Sequence, residues 1–266
     1  MSCRIEERFA AMRAQRRTAL IPFITAGDPL PAATVDVMHA LVEGGADLIE
    51  LGMPFSDPMA DGPVIQHADE RALRNKVGIA DILGWVREFR ASDADTPIVL
   101  MGYLNPIAVH GIECFAQAAV DAGVDGVLVV DCPIEEDATL QPLRDAGLAR
   151  ILLAAPTTSD ARLAQAIDTA EGYLYYVSFA GITGAAKLSA EAIRARVTDM
   201  RERARVPVAV GFGIKDAASA QAVAAFADAV VIGSALVATL AGAPDREQAC
   251  ARARAFLAPI RAALDA

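Results

Sequence analysis

The 266-residue sequence is poor in the side chains that do most polar catalysis: three histidines, His39, His67 and His110, and three lysines, Lys76, Lys187 and Lys215. Each histidine falls in a segment that reads as helix or surface loop, and no lysine falls within an expected strand. Schiff-base chemistry needs a lysine held at depressed pKa in an apolar setting, which leaves only the loop residues Lys187 and Lys215 as weak candidates. The four cysteines, Cys3, Cys114, Cys132 and Cys250, form no C-x-x-C pair and have no histidine at ligand spacing. That argues against a zinc or other metal site and against a disulfide framework, and a reducing cytoplasm is the simplest setting. Positive charge is scarce too. A net charge of -10 and a pI near 4.8 argue against nucleic acid as a partner, so an anionic substrate would need local positive potential inside its site.

An uninterrupted hydrophobic run is also missing, despite a hydrophobic fraction of 54% and a mean hydropathy of +0.34. The longest apolar stretch, 217–243, is broken by Asp228 and by Gly233-Ser234 and reads helix, strand, helix. No membrane span is expected. The N-terminus spaces Ile5, Phe9 and Met12 on one helical face, has no signal-type apolar core, and carries Glu6 and Glu7, which argue against a transit peptide.

What is present is a recurring unit: a helical stretch ends in glycine, one or two residues follow, and a short β-branched run begins. It occurs as E-G-G-A-D-L-I-E-L at Glu43, D-A-G-V-D-G-V-L-V-V at Asp121, D-A-G-L-A-R-I-L-L at Asp145 and A-E-G-Y-L-Y-Y-V at Ala170. A glycine-free version, A-F-A-D-A-V-V-I, starts at Ala225. Glycine at a helix C-terminus followed at once by a strand is the αβ turn of a parallel sheet. With the runs at 20–25, 98–102 and 208–211 this makes eight strands, nearly continuous in apolar character, as expected when both sheet faces are covered. Helices are expected at 31–43, 112–122, 135–145, 161–169, 190–204, 217–226 and 245–264. The α/β class follows, and eight βα units in this length predict a single (β/α)8 TIM barrel over residues 1–266 with an additional N-terminal helix. A doubly wound sheet is the rival, but I-P-F-I-T-A-G-D-P follows the first strand where G-x-G-x-x-G would stand.

Barrel active sites lie at the C-terminal ends of the strands. The segment D-L-I-E-L-G-M-P-F-S-D-P-M-A-D-G-P from Asp47 puts Glu50 in the second strand and Asp61 in the loop that follows. A carboxylate inside an apolar strand costs several kcal/mol unless it is paired or takes up a proton, in rough terms. Pro54, Pro58 and Pro63 restrict the loop, so Glu50 and Asp61 are the candidate acid/base pair. Tyr175 lies in the sixth strand. Glycine turns A-G-I-T-G-A at Ala180, G-F-G-I at Gly211 and I-G-S-A-L at Ile232 follow the last three strands, with Gly233-Ser234 opening a short helix. Amides exposed at such turns and at a helix N-terminus can hold a phosphate in an acidic protein.

The segments P-F-I-T-A-G-D-P from Pro22, I-E-L-G-M-P-F-S-D-P-M-A-D-G-P-V-I-Q from Ile49, M-G-Y-L-N-P from Met101, D-C-P-I-E-E from Asp131, G-I-T-G-A from Gly181, and G-F-G-I and G-S-A from Gly211 and Gly233 span nearly the whole chain. Together they resemble the tryptophan synthase alpha chain family, the segment from Ile49 being the most specific. The resemblance implies retro-aldol cleavage of indole-3-glycerol phosphate to indole and glyceraldehyde 3-phosphate. It implies Glu50 as acid/base and Asp61 as hydrogen-bond partner of the indole N-H. Phe23 and Tyr175 would border the substrate, Thr183 would meet Asp61 on closure, and amides around Gly184, Gly213, Gly233 and Ser234 would hold the phosphate. It implies no cofactor in this chain and a β chain carrying pyridoxal phosphate as partner in an α2β2 heterotetramer. The loop 54–59 and segments near Asn105 and Pro133 would face that partner.

Structural readings stand beside these. Glu50 would serve equally as a buried carboxylate paired with an arginine, and Asp61 as an N-cap for the helix opening near Pro63. Asp57 fits an Asx turn or the interface, Tyr175 and Phe23 fit packing, His67 a helix surface, and Arg13 to Arg17 a solvated face. Phe179 departs from the arginine that many members carry after the sixth strand, which bears on loop closure and keeps a free-standing lyase open. Another phosphosugar barrel, an isomerase or epimerase, and a barrel kept chiefly as an allosteric subunit are the remaining alternatives.

Overall fold

The computed structural model describes residues 4–177, 190–211 and 213–266. Nine parallel strands run β1 Ala19–Thr25, β2 Ile49–Gly52, β3 Ile98–Gly102, β4 Gly126–Val129, β5 Ala149–Arg150, β6 Leu152–Ala154, β7 Leu174–Val177, β8 Val208–Gly211 and β9 Ala229–Ile232. Their lateral order is β5-β4-β3-β2-β1-β9-β8-β7-β6. The two ends of that order are consecutive in sequence. Residues 149–154 are one strand position split at Ile151: β5 pairs with β4 and β6 with β7, while the Ile151 amide still donates to Val127 O at 3.0 Å. The nine strands are therefore the eight expected positions of a nearly closed barrel.

Alternation along each strand sorts the core. Ile49 and Leu51 of β2 face the surrounding helices with Ile24, Leu100 and Val127, whereas Val99, Leu128, Tyr173, Tyr175 and Ala209 form a separate interior cluster. The helix Arg4–Ala14 closes one end of that interior with Ile5, Phe9 and Met12, and Phe9 meets Tyr173 with ring centroids 5.9 Å apart. Burying three such side chains contributes roughly 5 kcal/mol or more, which is why this short helix stays docked.

The recurring glycine unit becomes visible as geometry. Gly123, with φ +92°, ends the helix Ile112–Ala122, and a Cβ there would come within 2.9 Å of Arg90 Cγ. The acidic residues at the feet of the strands form a repeated clasp. Asp47 donates its amide to Leu20 O and accepts the Leu20 amide on its carboxylate; Asp125 does the same with Ile98, Asp228 with Val208, and Glu171 with Arg150. Three of the four carboxylates lie in the D-L, D-G and D-A dipeptides just before β2, β4 and β9. Each clasp satisfies the first amide of the neighbouring strand, which has no ladder partner of its own.

Several helices differ from expectation. The segment 135–145 is a 3-10 stretch, Ile134–Leu140, followed by a short helix Gln141–Asp145, with Glu136 outside helical backbone angles. Pro142 explains the joint: it cannot donate an amide back into a continuous helix. The helix at 31–43 starts as a 3-10 turn, Pro31–Ala33. Helices Ile79–Arg90 and Leu104–His110 complete the third and fourth crossovers, and Pro63–Arg74 follows the Asp61 loop. The stretch 217–243 folds as helix Ala217–Ala224, β9 and helix Ser234–Leu240, and among the described residues no helix is long and apolar enough to cross a membrane.

Candidate active site

Glu50 is the second residue of β2, opposite Phe23 of β1 and Val99 of β3 in the ladder, with its side chain in the barrel interior and 0% exposed. It has no arginine partner among the described residues. Its single hydrogen bond comes from Tyr173, whose Oη donates to Oε1 at 2.5 Å, while Oε2 has no partner. Burial pushes the Glu50 carboxyl up from its ordinary 4.5 to about 7, against the Tyr173 hydrogen bond, which lowers it. A group poised there can hold and release a proton near neutral pH.

Asp61 ends the proline-restricted loop. It does not cap the helix Pro63–Arg74, because Gly62 occupies the N-cap without a side-chain cap. Instead Tyr103, just beyond β3, donates its Oη to Asp61 Oδ2 at 2.6 Å and accepts the Ala60 amide at 3.1 Å. Gln66 Nε2 holds the Asp61 carbonyl at 2.8 Å. Half-buried, Asp61 is pushed up by desolvation and drawn back by Tyr103. The loop is thus tied at its backbone and its carboxylate.

Tyr175 is buried, and the charges of both Glu50 and Asp61 act on its phenol, raising it well above its ordinary value after burial itself. The two carboxylates therefore share one neighbourhood. Gly211 of β8 makes room for this ring: a Cβ there would overlap Tyr175 Oη and come within 2.5 Å of Cε2. Gly52 does the same for Phe23, where a Cβ would come within 2.5 Å of Cζ. Phe23 packs on Ala68 and Val237, linking β1 to the helices after β2 and β9.

At the glycine end, Gly213 follows β8 with φ +74° and is exposed, with open space where a Cβ would lie. Gly233 is the N-cap of Ser234–Leu240, whose first turn has no side-chain cap. Its forward amides are available to an acceptor. Thr183 and Gly184 lie outside the described residues, as do Phe179 and Lys187. Asp57 accepts the Ser56 hydroxyl at 2.5 Å in an exposed turn, and His67 sits on a helix surface 3.5 Å from Glu70. Among the described residues no group of three or more His, Cys, Asp or Glu is arranged to hold a metal ion.

Tyr173 and Tyr103 were not singled out by sequence reading. The signal was present for the first: Tyr173 stands two residues before Tyr175, on the same side of a strand as a residue already of interest. For Tyr103 it was only its place in M-G-Y-L-N-P after β3.

Comparison with known proteins fits this geometry. Residues 9–264 match the family described as tryptophan synthase alpha chain. The chain is 61% identical over 264 residues to the tryptophan synthase alpha chain of Xylella fastidiosa strain 9a5c, covering 99% of this chain and 98% of that one. It is 62% identical over 264 residues to that of Xanthomonas oryzae pv. oryzae strain MAFF 311018, covering 98% of each. Among solved structures, tryptophan synthase subunit alpha from Legionella pneumophila str. Paris superposes with a TM-score of 0.93 at 44% identity, covering 100% of this chain and 99% of that one.

Proposed function

The chain belongs to the tryptophan synthase alpha chain family, and from that premise we propose how its own residues divide the work. The family reaction is cleavage of indole-3-glycerol phosphate to indole and glyceraldehyde 3-phosphate, so the chain is a lyase. It needs no cofactor of its own. Its partner is the β chain of an α2β2 tetramer, and pyridoxal phosphate belongs to that subunit.

Breaking the bond between indole C3 and the glycerol carbon requires a proton at C3, removal of the proton from the glycerol hydroxyl, and stabilisation of positive charge spreading onto the indole nitrogen. Glu50 handles the two protons: as the acid it gives one to C3, and as carboxylate it accepts the one from the hydroxyl. The observation that carries this is its position, fully buried with one oxygen unpartnered and its carboxyl raised to about 7. Asp61 accepts the indole N-H and, held by Tyr103, places negative charge where positive charge develops. Phe23 and Tyr175 wall the indole. The amides at Gly213 and at Gly233-Ser234 hold the phosphate, with Thr183 and Gly184 contributing from the loop after β7.

Residues 1–266 are read as one domain, a reading supported by the first helix sharing its apolar cluster with β3, β4, β8 and β9. The compartment proposed is a reducing cytoplasm, in keeping with Cys114, Cys132 and Cys250 being free thiols. The partner surface proposed is the loop 54–59 with the segments near Asn105 and Pro133, where Met59 is 84% and nearby Val109 82% exposed. Indole release from indole-3-glycerol phosphate, with and without the β chain, tests the reading directly. No release from substrate in either condition would sink it.

A further inference from the structure

Asp69 lies on the helix Pro63–Arg74, on the face that also buries Ala68 and Ala72, and is 4% exposed. No cation pairs with it among the described residues. Arg71, on the same helix, is committed to Asp28 by two hydrogen bonds of 2.6 and 3.0 Å. What faces Asp69 is the Thr25 side chain from the end of β1, the Phe55 amide from the loop after β2, and two more carboxylates, Asp61 from that loop and Asp28 beyond β1. Tyr103 feels the charge of both Asp61 and Asp69.

Three carboxylates and one guanidinium in a half-buried space cannot all be ionised without a large electrostatic penalty. The partners decide where a proton goes. Arg71 holds Asp28 in its charged form and the Tyr103 hydroxyl favours the charged form of Asp61, whereas Asp69 has dipoles alone. Burial first, then the Asp61 charge, push Asp69 up to about 7.

We propose that Asp69 and Asp61 act as one coupled carboxylate pair, in which Asp69 carries the proton at neutral pH and so leaves Asp61 as the anion that meets the indole N-H. Asp69 is a positioning residue, and its function rests on the role proposed for Asp61. Below neutrality the proton on Asp69 removes the repulsion that would otherwise protonate Asp61. Above it, ionised Asp69 adds a second negative charge behind Asp61 and deepens the potential at the indole nitrogen.

Asp69→Asn fixes the neutral form with nearly the same shape. The ratio of wild-type to Asp69→Asn kcat/KM for indole release by the α–β complex is expected near one below about pH 6 and to rise about tenfold by about pH 8. A packing role alone would give a ratio independent of pH, and that result overturns the proposal. The second readout is the 13C titration of the Asp69 carboxyl in the full chain, whose midpoint near 7 is expected to fall by about one unit or more in Asp61→Asn. An unmoved midpoint overturns the pair. Normal turnover of Asp61→Asn with a moved midpoint would instead reject the catalytic role of Asp61 and leave the electrostatic coupling standing.

Discussion

Tyr173 reaches across the barrel interior from the foot of β7 and donates its hydroxyl to Glu50 at 2.5 Å, the only hydrogen bond that carboxyl makes within the chain. It is also the only interaction that opposes the upward push of burial on Glu50. Tyr173→Phe should therefore raise the Glu50 pKa above about 7, by one to two units if the bond to a charged group is worth about 1.5 to 3 kcal/mol. The acid limb of the kcat/KM profile for indole release moves to higher pH by that amount. A limb that stays in place would mean that Glu50 does not set it.

Glu50→Gln and Asp61→Asn should fold and lose indole release by several orders of magnitude, since a positioned acid or base contributes about 10² to 10⁴ each. Stability separates Glu50 further. Its folded pKa lies above its unfolded value, so the folded chain keeps a proton between 4.5 and about 7 that the unfolded chain has released. Wild-type stability falls as pH rises through that window. Relative to wild type, Glu50→Gln should gain on the order of 3 kcal/mol between about pH 4 and about pH 8 in urea titrations. A difference independent of pH would show that the buried carboxyl is not protonated in the folded chain.

The barrel could be read from the sequence because each unit repeats the same local physics: a helix, a glycine that permits positive φ, then an apolar strand. Glu50 stood out for a similar reason, as a charge in an otherwise apolar run. The split at Ile151 was not legible, because β5 and β6 form one apolar run and only the pairing partners change along it. Pairing is a tertiary property. Tyr103 and Asp69 were missed on the same ground: nothing local distinguishes a tyrosine that will hold a carboxylate 42 residues away from one that packs. The strand-foot carboxylates Asp47, Asp125 and Asp228 were visible within the repeat, but their bonds to the preceding strand's amides appear only when neighbouring strands are placed.

Asp125 is the most connected of those clasps, accepting Arg4 at 2.8 Å, Arg90 at 2.7 Å and the Ile98 amide at 2.8 Å. Asp125→Ala strands the largely buried Arg90 guanidinium and the first amide of β3. The expected loss of stability is about 3 to 5 kcal/mol, as for breaking a buried pair from one side. Because these groups lie at the end of the barrel away from Asp61, activity per folded molecule should be unchanged. Denaturation midpoints and specific activity together check this, and a variant as stable as wild type would show that the clasp carries no load.

Gly211→Ala tests the wall of the site rather than its acids. The added methyl collides with the Tyr175 ring, so the tyrosine must move from between the two carboxylates or β8 must shift. A large rise in KM is expected, with a stability loss of about 1 to 3 kcal/mol typical of overpacking. Tyr175→Phe on this background should relieve only part of the defect, since the ring carbons Cε2 and Cζ collide along with Oη. Full recovery would place the clash at the hydroxyl alone.

Met59 and Val109 are large apolar side chains left 84% and 82% exposed on an otherwise acidic, polar surface. Exposure of that kind is removed by a partner, and the β chain is the partner this family supplies. Met59→Asp places a charge where the loop after β2 would enter an apolar interface, yet it touches neither Glu50 nor Asp61. Indole release by the isolated chain should be unchanged, while the β-chain concentration needed for half-maximal stimulation rises about tenfold or more, the weakening expected when an unpaired charge is desolvated in an interface. A titration of the variant with β chain measures this. If stimulation is reached at the wild-type concentration, the loop 54–59 does not face the partner.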